Sequence, residues 1–123
     1  MPGIADPGHS VVLMAHNNNF KVKSLIGPSS VSLALSASGL NGQSFAFHGY
    51  LPIKDIPLKK MISKLESNIR SLNQTQIFIE TPYRNNKMLA DLSTILDKNT
   101  AVCVACDITL ATEFIKTQTA HNW

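Results

Sequence analysis

Residues 57–82 read PLKKMISKLESNIRSLNQTQIFIETP, and a change of period inside this stretch decides the fold. In its first part Leu58, Met61, Ile62, Leu65, Ile69 and Leu72 recur at helical spacing, with Lys59, Lys60, Lys64, Glu66 and Arg70 between them. One apolar stripe therefore faces a core while the charges face water. In its second part, Gln76 to Glu80 is a short apolar run that ends at a carboxylate and is stopped by Thr81-Pro82, which predicts a buried strand. The alternation continues on both sides. Upstream, Ser44-Phe45-Ala46-Phe47-His48 predicts an aromatic-rich strand that leaves through Gly49-Tyr50-Leu51-Pro52. Downstream, Met88, Leu89, Leu92, Ile95 and Leu96 mark another helix, and Ala101 to Cys106 is apolar enough for an interior strand covered on both faces, ending at Asp107. Glu113 to Thr117 predicts a last strand.

Toward the start, Asp6-Pro7-Gly8 opens a short helix over His9 to Asn17, which Asn17-Asn18-Asn19 stops. Phe20 to Ile26 alternates apolar and polar residues, predicting a half-buried strand broken by Gly27-Pro28. Ser29 or Ser30 then caps a helix carrying Val31, Leu33, Ala34, Leu35 and Ala37 as far as Gly39. Strands alternating with helices give an α/β class with a mixed sheet and some parallel pairing.

A chain of 123 residues with 44% hydrophobic and 15% charged content suffices for one buried core. Its net charge of +3 permits contact with a polyanion, but the eleven Lys and Arg are dispersed, so charge alone argues little for nucleic acid. No apolar stretch reaches the length of a membrane span, and Met1-Pro2-Gly3-Ile4-Ala5-Asp6 lacks the pattern of a signal peptide. The reading is a cytoplasmic protein without a membrane partner. Cys103 and Cys106 form a C-x-x-C with no second pair. Three apart in a strand their sulfurs point to opposite faces, which favours two buried structural thiols over a redox or zinc site.

In α/β sheets ligands gather at the carboxyl ends of strands. The residues there are Gly27-Pro28-Ser29-Ser30, Glu80-Thr81-Pro82 and Asp107-Ile108-Thr109. The first is either an anion-binding turn at a helix start or an ordinary serine cap. Glu80 and Asp107 face a common crevice if their strands are neighbours, where they would hold hydroxyls or take a proton; alternatively Glu80 caps the next helix or pairs with Arg84. His48 is either a base or a partly buried histidine with its hydrogen bond satisfied. His9, His16 and His121 have no companions at ligand spacing, so no metal site is assigned. Arg84, Lys87, Lys54, Lys59 and Lys60 are either phosphate contacts or solvated surface cations.

Four phrases, Pro2-Gly3-Ile4-Ala5-Asp6-Pro7-Gly8, Ile26-Gly27-Pro28-Ser29-Ser30, Phe45-Ala46-Phe47-His48-Gly49-Tyr50-Leu51-Pro52-Ile53-Lys54 and Ile77-Phe78-Ile79-Glu80-Thr81-Pro82-Tyr83-Arg84, stand in this order and spacing along nearly the whole chain. In that arrangement they resemble the tetrapyrrole methylase superfamily, and within it the branch of small-subunit ribosomal RNA cytidine 2′-O-methyltransferases. The resemblance implies two α/β domains with S-adenosylmethionine held between them, and a homodimer. Residues 1–28 would then be the end of the donor-binding first domain, and residues 29–123 a truncated second domain. The family's glycine-rich donor loop has no counterpart here, nor do its final strands.

Carried onto this chain, the resemblance places donor contacts at Pro2, Gly3, Ile4 and Ala5, at Ser29 and Ser30, at Ile79 and Glu80, and at Cys106 and Asp107. Tyr50, Lys54 and Arg84 are the candidate substrate contacts. Candidate bases for activating a ribose hydroxyl are Glu80, then Asp107, then Glu113. Where the RNA branch tends to read Ala-Arg-Glu-Leu-Thr-Lys, this chain has Ala105-Cys106-Asp107-Ile108-Thr109-Leu110, so two cations are missing. The implied activity is methyl transfer to small-subunit ribosomal RNA. Methylation of a tetrapyrrole precursor, or a non-catalytic donor-binding or dimer-forming module, are the alternatives.

Overall fold

The computed structural model describes residues 3–123, so the call on Pro2 lies outside the described residues. The chain divides after Ser30 into two compact units. The first unit contains helix α1 (His9–Asn17). Its end follows from Asn19, whose left-handed backbone (φ 59°) lets the Phe20 N–H donate to the Ala15 carbonyl (2.9 Å) and the Asn19 N–H to that of His16 (3.0 Å). The last carbonyls are thus satisfied by the turn itself. Phe20 to Ile26 forms no strand, contrary to the alternation of its sequence. The physical reason is pairing: a strand needs a neighbour's N–H and C=O groups, and among the described residues this segment has none. Phe20, Val22, Leu25 and Ile26 accordingly lie exposed.

The second unit runs, in order, α2 (Ser30–Ser38), β1 (Phe45–Tyr50), α3 (Asp55–Leu72), β2 (Thr75–Ile79), a 3-10 turn (Pro82–Arg84), α4 (Asn85–Ile95), β3 (Ala101–Cys106), β4 (Phe114–Thr119) and a closing 3-10 turn (Ala120–Asn122). α3 buries Leu58, Ile62 and Leu65, spaced four and three apart as one helical stripe requires. Pro57 falls in its first turn, where no intrahelical N–H is lost. α4 contributes Met88 and Leu92, and Leu51 from the loop after β1 completes the core, with Phe78 of β2 and Val102 of β3 packed against it.

The strands form two ribbons rather than one layer. β1 and β2 are parallel and joined through α3, as a parallel pair must be joined by a crossover; β3 and β4 are antiparallel. β1 carries an irregularity, with Phe47 opposite Ile77 but Tyr50 opposite Ile79, so three steps on one strand meet two on the other. Gly49 takes φ 63° there, a backbone that side chains with a Cβ rarely adopt.

Three expectations are corrected. β3 is not an interior strand: among the described residues it pairs with β4 alone, its end residues are exposed and the four between them are half-buried. For the same reason the cysteines are not two buried thiols, since Cys103 is half-buried and Cys106 exposed. Finally, among the described residues β2 and β3 belong to different two-stranded sheets, so they are not the strand neighbours that a mixed sheet would make them.

Candidate functional site

Because β1 and β2 run parallel with only α3 between them in sequence, their carboxyl ends emerge side by side. Ile79 closes β2, and Glu80 follows with a side chain only 7% exposed. Its Oε1 accepts the Thr81 N–H (2.8 Å) and the Thr81 hydroxyl (3.3 Å). Its Oε2 is buried and accepts no hydrogen bond, although Arg84 Nη2 lies 3.2 Å away. Arg84 stands at the end of the 3-10 turn, four residues on, and that turn folds the guanidinium back over the carboxylate. The same Nη2 donates to the Pro52 carbonyl, at a long 3.5 Å, in the loop that leaves β1. That loop presents Tyr50, 63% exposed, and Lys54, which is exposed and sits at the N-cap of α3.

The structure thus brings Tyr50, Lys54, Ile79, Glu80 and Arg84 to one end of the parallel ribbon. Of the two readings left open for Glu80, the pairing with Arg84 is present, and the spacing of four was its signal. Three partners had no signal in the sequence: the Pro52 carbonyl, the Thr81 hydroxyl and Gln76. Gln76 Nε2 donates to the Gln74 carbonyl (3.0 Å), which turns its Oε1 toward His48 Nε2 at 2.7 Å. His48 is therefore the partly buried histidine with a satisfied Nε2–H, not a free base at that nitrogen. Lys87 reaches Asp91 (2.8 Å) and Asp55 (3.1 Å), whose hydrogen bonds raise its pKa above the ordinary 10.5, Asp91 contributing most.

Cys106 ends β3, and Asp107 follows it in the exposed turn between β3 and β4. There Asp107 Oδ2 accepts the Thr112 hydroxyl (2.9 Å), and Glu113 Oε2 accepts the Thr109 N–H (2.6 Å). Asp107 (φ 51°) and Thr109 (φ 73°) are both left-handed, which is costly for a β-branched threonine. In the first unit Gly3 (φ 77°), Ile4 and Ala5 (φ 56°) form an exposed turn. Ser29 is half-buried, and Ser30 opens α2 exposed to solvent. Among the described residues no three His, Cys, Asp or Glu side chains converge as metal ligands, and no helix is long and apolar enough to cross a membrane.

No family model matches the chain. Several curated proteins do, along nearly all of it. The ribosomal RNA small subunit methyltransferase I of Vibrio cholerae is 36% identical over 115 residues, which cover 94% of this chain and 38% of that protein. The protein of the same name from Haemophilus influenzae is 33% identical over 121 residues, covering 98% and 41%. That from Buchnera aphidicola subsp. Schizaphis graminum is 32% identical over 114 residues, covering 93% and 39%. Along nearly all of its length the chain is thus similar to proteins named ribosomal RNA small subunit methyltransferase I. It spans about two fifths of the length of these relatives. Cys106 and Leu110 are both exposed, so their side chains shape the surface and not the core.

Proposed function

We propose that the protein carrying this chain transfers a methyl group from S-adenosylmethionine to the 2′-hydroxyl of a cytidine in small-subunit ribosomal RNA, acting in the cytoplasm as a homodimer. One observation carries the reading for this chain: the buried Glu80 carboxylate, paired with Arg84, stands at the end of the parallel ribbon where β1 ends in the exposed Tyr50 ring and the exposed Lys54 cation follows.

The donor, when bound, supplies a methyl group already activated on a sulfonium, so the protein's task is alignment and the exclusion of water. Gly3, Ile4, Ala5, Ser29, Ser30, Ile79, Glu80, Cys106 and Asp107 are the residues proposed to hold it, with Pro2 as the family resemblance implies. The chemistry of several of them fits. Gly3 has nothing within 4 Å of where a side chain would begin, leaving its backbone open to close approach. Glu80 offers a carboxylate directly after the end of β2. Tyr50 suits stacking on a base, and Lys54 a phosphate. A ribose hydroxyl needs a base to become a good nucleophile, and Glu80, then Asp107, then Glu113 are the candidates.

One observation favours methylation of a tetrapyrrole precursor as the second reading. Positions 106 and 110 are exposed and uncharged, which weakens an RNA surface there. Methyl transfer assayed in a full-length protein with small ribosomal subunits and with porphyrin precursors separates the two. Labelled RNA supports the proposal, and labelled precursor alone refutes it. Glu80→Gln in that protein is expected to lower turnover or donor affinity at least about tenfold; unchanged values for both would remove Glu80 from the site.

A further inference from the structure

One cation ties the loop leaving β1 to the end of β2, and a second, in α4, ties that helix to the start of α3. Arg84 links Glu80 to the Pro52 carbonyl, and Lys87 links Asp55 to Asp91. The inner tie is protected from water, with side chains 16% and 7% exposed for Arg84 and Glu80. The outer one is open, with Lys87 60% and Asp55 73% exposed. Both contacts fall on Arg84 Nη2, so this one nitrogen sits between the Glu80 carboxylate and the Pro52 carbonyl.

We propose that Arg84 is a positioning residue, which locks the Leu51–Lys54 loop to the end of β2 so that Tyr50 and Lys54 meet RNA on a platform fixed relative to Glu80. Lys87 is the outer and weaker tie of the same latch. The RNA clause rests on the function proposed above; the latch itself does not.

The latch is tested by backbone ¹⁵N relaxation on the 123-residue chain. In the wild type, the amides of Ile53 and Lys54 are expected to be as rigid as those of β2, with order parameters of about 0.85, falling below about 0.6 in Arg84→Gln. Arg84→Lys keeps a charge for Glu80 but has a shorter reach toward the Pro52 carbonyl, so it loosens the same two amides while leaving the fold intact. Lys87→Met is expected to change them little, and added salt to abolish what change there is. A wild-type spectrum in which the Arg84 guanidinium rotates freely, or rigid loop amides in both Arg84 variants, overturns the latch.

The positioning role is tested in a full-length protein. Arg84→Lys is expected to raise the KM for RNA about tenfold with kcat and donor affinity nearly unchanged, the signature of lost substrate positioning rather than lost chemistry. A loosened loop with an unchanged KM overturns that role. If the wild type methylates no RNA, the function reading fails, and the relaxation data still decide the latch.

Discussion

The ends of the two ribbons solve one problem in opposite ways. Past β2, a carboxylate is buried beside a guanidinium and tied across 32 residues of sequence to another loop. Past β3, Asp107 and Glu113 bond only within their own turn, at Thr112 and Thr109, in full view of solvent. Water screens and competes with the second set, so those bonds shape a turn without holding the fold. The first set has lost its water and depends on its partners, which makes it rigid and also vulnerable. A buried charge network is worth most through what happens when one member is taken away.

The sharpest way to break this comparison is beneath the parallel ribbon. Ile62→Ala, at a site 1% exposed, is expected to cost about 4 kcal/mol in urea unfolding through the cavity it leaves under β2. A cost below about 1 kcal/mol would mean that the helix layer does not support the ribbon. Next comes Arg84→Met, which strands the buried Glu80 carboxylate. It should cost about 3 kcal/mol, with Glu80→Gln added to it restoring part of the loss.

At the other turn the sign reverses. Thr109→Gly relieves a left-handed threonine, so it is expected to raise stability by about 1 kcal/mol despite removing a side chain. The smallest effect is that of Lys87. Its raised pKa means that its contribution is present below its ordinary value of 10.5 and disappears as pH rises through the higher value in the fold. A slight loss of stability above pH 10.5 that Lys87→Met abolishes, read from thermal unfolding, is the expected outcome.

Much of the second unit was legible in the sequence because its signals are local. The stripe of α3, the bounds of β3 and the stop at Gly39 follow from period and punctuation. What failed were statements about neighbours. The alternation of Phe20 to Ile26 says which side chains would share a face, but nothing in those residues supplies a pairing strand. Likewise the apolar run of β3 implied cover on both faces, and the exposure of Cys106 shows that only the topology decides this. At the site, four-residue spacing announced Glu80 and Arg84 as one of two options. The Pro52 carbonyl, a backbone atom distant in sequence, left no trace in residue type.

The extra residue at His48-Gly49 has a consequence for protein engineering. Side chains along a strand alternate sides, so one inserted residue reverses the parity of everything after it. Removing Gly49 would therefore turn Tyr50 and the buried Leu51 to the opposite sides, exchanging an outward ring for an inward one with no change in either residue. Parity at this one position, rather than the identity of the residues that follow, assigns the aromatic ring to solvent and the leucine to the core.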